Sequence, residues 1–294
     1  MGLIQTAKPG HTNSDAVWSY AQIVESADKV KAMLAKRRVN LNPQSALATI
    51  FRKATVLSKE WTAADQSEGW QDRLHSAAYA IQISEAMLEA ESDAAAQECL
   101  RRIAKRDMDL GRRVASQGKD ALWELQLLSY LRRHGIAAKM AEPDIIAPMS
   151  WGDYPIACKK INSENGVEGQ IKKARGQLAK FGGQGIIALN IDELTPENKL
   201  FPWPNTEVAG DKLSSLLQAF VDRHRLAMQK AVMNQHCDGF VLSVSVLADL
   251  EGSKPRFNYQ TQMMMWNLSD SPAASKIRFR DVAATVFGSV GLKV

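Results

Sequence analysis

The segment EPDIIAPMSWGDYPIACKKI, residues 142–161, predicts two short β-strands joined by a tight turn. Asp144 follows Pro143 at the start of the first apolar strand, and Lys159 lies fifteen positions later in the second. Successive side chains of a strand alternate between its two faces, so Ala157 and Lys159 are expected to share one face. The hairpin would bring Asp144 close to both, so that an aspartate and a lysine converge on one point of the sheet.

The elements around this hairpin predict an α/β domain over residues 118–294, with a mixed, mostly buried sheet flanked by helices. Their order is α-β-β-β-α-β, followed by α-β-β-α. The predicted helices are 119–134, 165–181, about 210–235 and about 279–287, and the predicted strands are 136–141, 144–149, 154–161, 185–192, 238–249 and 256–267. The second of these helices is predicted from an apolar stripe of Val167, Ile171, Ala174, Leu178 and Phe181. The aromatic segment Phe201-Pro202-Trp203-Pro204 is expected to be a stiff loop.

Residues 1–117 predict a helical N-terminal region that serves in docking, oligomerisation or DNA contact. Helical spacing of apolar residues is present at 44–59 and 73–90. Within 101–113 there are six basic and two acidic residues, and Arg101, Arg102 and Lys105 would cluster on a helix that could follow the phosphates of a nucleic acid. The alternative is a solvated helix face with no ligand.

Composition limits the class of protein. A net charge of +5 and a pI of about 9.0 are compatible with a nucleic-acid partner without establishing one. The three cysteines, Cys99, Cys158 and Cys237, are far apart, which argues against a zinc site or a disulfide framework. No secretory signal and no apolar run long enough to span a bilayer are found, which predicts a soluble, cytoplasmic protein with no membrane partner.

The pairing of Asp144 with Lys159 is suited to hydrolysis of a phosphodiester. Carboxylates hold Mg²⁺ or Mn²⁺, which polarises the phosphate and lowers the pKa of the attacking water. An adjacent ammonium orients that water or stabilises the developing negative charge. Glu124, on the predicted helix 119–134, stands in line with an apolar stripe, where a carboxylate is costly unless it is paired or binds a metal. Alternatively it lies at the edge of the stripe in the first turns of the helix, where the helix dipole favours acids.

Taken together, Glu124 on a helix, Pro143-Asp144 at a strand start and Ile156-Ala157-Cys158-Lys159 resemble the PD-(D/E)XK nuclease superfamily, which has the restriction-endonuclease-like fold. The resemblance covers about residues 118–195 and implies an αβββαβ core. It implies that Glu124 and Asp144 are metal-side acids, that Lys159 is the catalytic lysine and that the Cys158 carbonyl is a further metal ligand. It also implies nucleic-acid contacts from the following helix, through Gln170 and Lys173, and from Lys160 beside the catalytic lysine.

Ala157 departs from the family pattern, which has Glu or Asp at this position. One explanation is an engineered inactive chain in which Glu was replaced by Ala, since IECKKI would be a regular strand motif. A second is that the acid has moved to Glu142, Asp153, Glu164 or Glu168. A third is a natural pseudo-nuclease that binds nucleic acid without cutting it.

The resemblance implies a Mg²⁺-dependent DNA endonuclease. A nuclease of this kind commonly works beside other subunits, so we expect the effector of a multi-protein prokaryotic antiviral defence system, in contact with DNA and with other subunits or copies of itself. The alternatives are a catalytically inactive nucleic-acid-binding or scaffold subunit and a ribonuclease.

Overall fold

A computed structural model describes residues 19–62, 69–252 and 257–287. The helices are α1 (Tyr20–Lys36), α2 (Ala46–Thr62), α3 (Trp70–Glu89), α4 (Gln97–Lys105), α5 (Gln117–Arg133), α6 (Val167–Leu178), α7 (Thr206–Met233) and α8 (Ala273–Phe287). The strands are β1 (Lys139–Ala141), β2 (Asp144–Met149), β3 (Gly152–Lys160), β4 (Ile186–Asn190), β5 (Leu200–Trp203), β6 (Gly239–Leu250) and β7 (Phe257–Trp266). The general α/β class is thus confirmed. No described helix has a stretch both long and apolar enough to cross a bilayer.

The described residues divide into two compact units. The helical unit contains the residues up to Ser129 together with Glu197–Lys199, and the sheet unit contains Tyr130–Pro196 and the residues from Leu200 onward. The sequence placed the boundary between 117 and 118, whereas the structural division falls within α5, twelve residues later. A continuous helix gives no local signal of such a division.

In the helical unit, α1, α2 and α3 pack against one another, and α4 contacts α2. The start of α1 is fixed by a capping box, in which Ser19 and Gln22 each bond the other's backbone N–H. Phe51 and Ile83 are fully buried. The helices predicted at 44–59 and 73–90 are α2 and α3, each displaced by up to three residues.

The sheet is mixed. The strands β1, β2 and β3 are antiparallel neighbours, and β4 pairs with β3 and β6 in parallel. One edge of β6 is lined by the antiparallel β7, whereas β4 and β5 both run parallel to β6 along its other edge. The predicted order α-β-β-β-α-β is present from α5 to β4.

Between β4 and β5 the ladder along β6 is interrupted. Pairing with β4 ends at Ser243, and pairing with β5 begins at Leu247. In the interval the backbone N–H of Ser245 donates to Asp192 Oδ1 at 2.6 Å. A carboxylate thus accepts the hydrogen bond that a strand carbonyl would otherwise take, which keeps a buried donor satisfied.

One face of the sheet is covered by α6 and α7, which contact β3, β4, β6 and each other. Four of the five residues of the predicted stripe are the buried side of α6, namely Val167, Ile171, Ala174 and Leu178. The fifth, Phe181, lies beyond α6 in a 3-10 turn and is only partly buried. The predicted helix 165–181 is shorter in the structure, because three-residue 3-10 turns occupy Glu164–Gly166 and Ala179–Phe181. The chain then leaves the helix at Gly182, whose φ of 68° is in the left-handed region that favours glycine.

The prediction of a loop at Phe201-Pro202-Trp203-Pro204 was wrong. Residues Leu200–Trp203 form β5, which pairs in parallel with β6. Proline argued for a loop because it cannot donate to a strand ladder, but a strand with one paired side tolerates it.

Candidate active site

Asp144 is the centre of a small polar cluster between β2 and β3. Its Oδ2 atom accepts hydrogen bonds from the backbone N–H of Cys158 at 2.7 Å and from the Lys159 ammonium at 3.1 Å. Lys159 Nζ also donates to the carbonyl oxygen of Cys158 at 2.6 Å. The two charged side chains are largely buried, with 16% of Asp144 and 15% of Lys159 exposed. We call Asp144, Cys158 and Lys159 the Asp144 centre.

The strand pairing explains why these residues meet. Ile145 lies opposite Ile156, so Asp144 begins β2 level with the middle of β3. The turn of the hairpin is at Ser150 and Trp151. Gly152 follows with a φ of 134°, a backbone angle that residues with a side chain rarely adopt. The expected approach of Asp144 to Lys159 is present in the structure.

Ala157 lies where the family pattern has its second acid. Extending the β2–β3 register by one step sets Ala157 level with Asp144. Its side chain is fully buried in the core that includes Ile171 of α6 and Ile187 of β4. A methyl group supplies no oxygen, so this position contributes packing and no ligand.

As it stands, the Asp144 centre does not fit a divalent metal. Mg²⁺ requires oxygen ligands about 2.0–2.1 Å away in octahedral geometry. Two of the oxygens that the resemblance assigns to the metal, Oδ2 of Asp144 and the carbonyl oxygen of Cys158, both accept from the Lys159 ammonium. Across residues 19–62, 69–252 and 257–287, no three His, Cys, Asp or Glu side chains form a group that could hold a metal ion.

Glu124 belongs to the helical unit and has partners there. Arg102 Nη2 donates to Glu124 Oε2 at 2.9 Å, and the Cys99 thiol donates to the same atom at 3.0 Å. Glu124 is buried, and this ion pair accounts for a charge at that depth. Burial, and then the Glu124 carboxylate, raise the pKa of the Cys99 thiol well above its ordinary value. The role of Glu124 as a metal-side acid stays a prediction, and the sequence did not reveal the pairing with Arg102.

Two of the predicted nucleic-acid contacts have acidic partners within the protein. Arg102 is partly buried and lies 2.9 Å from Glu124, and its role as a phosphate contact stays a prediction. Lys160 points into the interior with 5% of its side chain exposed, donating to Asn190 Oδ1 at 2.6 Å and lying 3.5 Å from Asp192 and 3.7 Å from Glu193. Strand alternation placed Lys160 on the face opposite Lys159, but it did not reveal that this side chain is buried among acids.

The other predicted contacts remain accessible. Lys173 is exposed on α6, and Gln170 is half-buried. Arg101 is exposed on α4, 3.5 Å from Glu98, and Lys105 is exposed in the last turn of that helix. The helix α4 ends at Lys105, so the basic residues from Arg106 onward are not on it.

The four acids considered as substitutes for position 157 have other surroundings. Glu142 pairs with Lys180 at 2.8 Å, and Glu164 lies 2.7 Å from Arg223 and 2.5 Å from His224. Asp153 lies opposite Pro148, at the turn end of the hairpin and away from Asp144. Glu168 is exposed in the first turn of α6.

The sequence interpretation missed a buried network around Asp238. This carboxylate accepts from Arg278 at 2.7 and 2.9 Å, from the Tyr154 hydroxyl at 2.8 Å, from Ser275 Oγ at 2.5 Å and from the backbone N–H of Gly185 at 3.2 Å. Burial, and then the nearby Asp238, raise the pKa of Tyr154. The one sequence signal was an aspartate directly before a long apolar strand. The Asp238 carboxylate thus accepts from two side-chain hydroxyls, one guanidinium and one backbone N–H, which stabilises a buried charge.

No protein-family model, no curated protein and no solved structure matches this chain.

Proposed function

We propose that the sheet unit is a nuclease domain of the PD-(D/E)XK type, which acts on phosphodiester bonds of DNA when position 157 carries an acid. The observation that carries this proposal is the Asp144 centre: one aspartate, one lysine and one backbone carbonyl meet across an antiparallel strand pair. The adjoining helix α6 adds accessible cations, since Lys172 and Lys173 are both exposed.

The composition of the centre supports this chemistry and also shows what it lacks. An ammonium held at a phosphate can stabilise the charge that develops in hydrolysis. Asp144 supplies one carboxylate, and Ala157, level with it, supplies none. We therefore expect this chain to bind DNA and not to cut it, and we expect cleavage when a second carboxylate is introduced beside Asp144.

The test is gain of function in Ala157→Glu. Plasmid and linear DNA are incubated with Mg²⁺ and either the present chain or the variant, and cleavage is followed on gels. Of these proteins, we expect only Ala157→Glu to cleave DNA, and the present chain to leave it intact. Ala157→Gln is the matched control, because it adds nearly the same volume without a charge, and Ala157→Glu/Lys159→Met tests the need for the lysine.

A folded Ala157→Glu protein that leaves DNA intact would contradict the proposal. Because Ala157 is fully buried, folding is checked by circular dichroism, and the shorter Ala157→Asp serves if the glutamate disrupts the core. The same assay on single- and double-stranded RNA covers the ribonuclease alternative.

The second candidate function is that of a nucleic-acid-binding or scaffold subunit, which does not cleave even when position 157 carries an acid. The observation that favours it is that Lys159 already donates to Asp144 Oδ2 and to the Cys158 carbonyl oxygen. DNA binding that is unchanged by EDTA, with no cleavage even in Ala157→Glu, would make this candidate the better one.

The assignment to a multi-protein prokaryotic antiviral defence system belongs to the same proposal and is supported by the resemblance alone. It is tested by affinity purification of the tagged chain from its native host, followed by size-exclusion chromatography. Recovery of only a solitary monomer would contradict it.

A further inference from the structure

The Lys159 ammonium lies between the oxygens of the Asp144 centre. Its Nζ atom lies 3.1 Å from Asp144 Oδ2 and 2.6 Å from the Cys158 carbonyl oxygen. A divalent cation shared by these two oxygens would have to occupy the same space. From this geometry we infer that Lys159 is the resident cation of the Asp144 centre, so that the present chain neither binds nor requires a divalent metal there.

Burial and charge support this inference. Asp144 and Lys159 are each about five-sixths buried, where a lone carboxylate would be costly and a paired one is stable. The ammonium makes the pair neutral and donates both to Asp144 Oδ2 and to the Cys158 carbonyl oxygen. A metal ion entering beside it would meet a like charge at close range, in a site where solvent screens poorly. One carboxylate cannot compensate for three positive charges.

A second carboxylate at position 157 would change this balance. With two acids against one ammonium, a divalent ion becomes compatible with the local charge, and removal of the ammonium would favour it further. The inference rests on the proposed function only in the choice of position 157, since the occupation of the two oxygens by Lys159 is independent of any reaction.

Binding of Mn²⁺ to four proteins tests the inference, by calorimetry and by the electron paramagnetic resonance signal of the free ion. They are the present chain, Ala157→Glu, Lys159→Met and Ala157→Glu/Lys159→Met. We expect no binding to the present chain up to millimolar Mn²⁺ and measurable binding to Ala157→Glu. The double variant should bind at least tenfold more tightly than Ala157→Glu, because it keeps both acids and loses the ammonium.

Binding of Mn²⁺ to the present chain that is abolished by Asp144→Asn would overturn the inference. Equal affinities of Ala157→Glu and the double variant would overturn it as well. If Lys159→Met does not fold, Lys159→Gln replaces it. A thermal melt of the present chain that shifts with EDTA or Mn²⁺, with no such shift in Asp144→Asn, would count against the inference without any variant at Lys159. Metal binding and DNA cleavage are separate measurements, so failure of this inference and failure of the proposed function are distinguishable.

Discussion

Single side chains determine how the sheet unit holds its buried charge. Asp238 lies directly before β6, and its carboxylate joins Tyr154 on β3 to Arg278 on α8. A buried carboxylate with a bidentate guanidinium and further donors is stable as a set, and loss of one member exposes the others to a desolvation penalty. The elements that meet at this point therefore depend on one another.

Tyr154→Phe tests this network at the residue level. It removes one neutral donor and leaves the ring packing intact, so we expect the free energy of unfolding to fall by about 1–2 kcal/mol at neutral pH. Urea denaturation followed by circular dichroism measures the change. Asp238→Ala should cost more, about 3–5 kcal/mol, because it leaves Arg278 without its carboxylate.

The pKa of Tyr154 adds a pH dependence. In the folded state this pKa is raised above its ordinary value of 10.0, so the folded protein holds the phenol proton more tightly than the unfolded chain. The resulting stability is fully present below the unfolded pKa and is lost as pH rises beyond it. Tyr154→Phe should therefore lose less stability than the present chain between about pH 8 and pH 10.5. Equal losses of stability in the two proteins would show that ionisation of Tyr154 does not determine how stability falls at alkaline pH.

The sequence could predict the approach of Asp144 to Lys159, because a hairpin fixes register and strand alternation fixes faces. It could not predict the pairing of Arg102 with Glu124, which are 22 residues apart and meet through helix packing. Lys160 is a second residue whose surroundings the sequence could not predict. Its strand face followed from the pattern, whereas its burial among Asn190, Asp192 and Glu193 depends on elements that arrive from elsewhere in the chain.

Among the helices, α6 carries two glycines in its interior. Gly169 and Gly176 are exposed, and a Cβ at either would meet no atom within 4 Å. We expect Gly169→Ala and Gly176→Ala each to stabilise the protein by up to about 1 kcal/mol, since alanine restricts the unfolded chain and favours the helix. Thermal and urea unfolding measure the effect.

Gly239 is the matched control on a strand. A Cβ there would clash with the Phe279 ring and the Trp266 carbonyl oxygen, so Gly239→Ala should destabilise the protein. A loss of stability in both α6 variants would show that the glycines have a role in α6 that its geometry does not reveal.

Strongly periodic elements were the most predictable. The stripe of α6 and the long apolar strand that became β6 were both found from the sequence. The exception, β5, has four residues and contains Pro202, and its strand character comes from pairing with β6. Pairing between segments distant in the chain leaves no periodic signal in either.

For the whole molecule, the proposed DNA binding predicts an affinity that falls with salt, because each phosphate neutralised by a lysine or arginine releases counterions. If α6 faces the DNA backbone, Lys172→Ala/Lys173→Ala should weaken binding and make the slope of log affinity against log salt shallower by about 1.8, or about 0.9 for each phosphate that is no longer neutralised. Fluorescence anisotropy over a salt series measures this slope with any DNA sequence.

Lys29→Ala/Lys31→Ala is the control for this measurement. It removes the same charge from α1, where the two lysines pair with Glu25 at 2.7 Å and Asp28 at 2.9 Å. We expect little change in the slope. Equal effects of the two double variants would indicate attraction by net charge alone and would contradict a specific role for α6.

The shortness of β1 has a consequence for the protein in concentrated solution. This outermost strand has three residues, and Lys139 at its start is exposed and charged. Long, flat, uncharged outer strands invite neighbouring molecules to extend the sheet, which is a common beginning of aggregation. A strand this brief, with an ammonium at its tip, offers such a neighbour little backbone to join at this edge of the sheet.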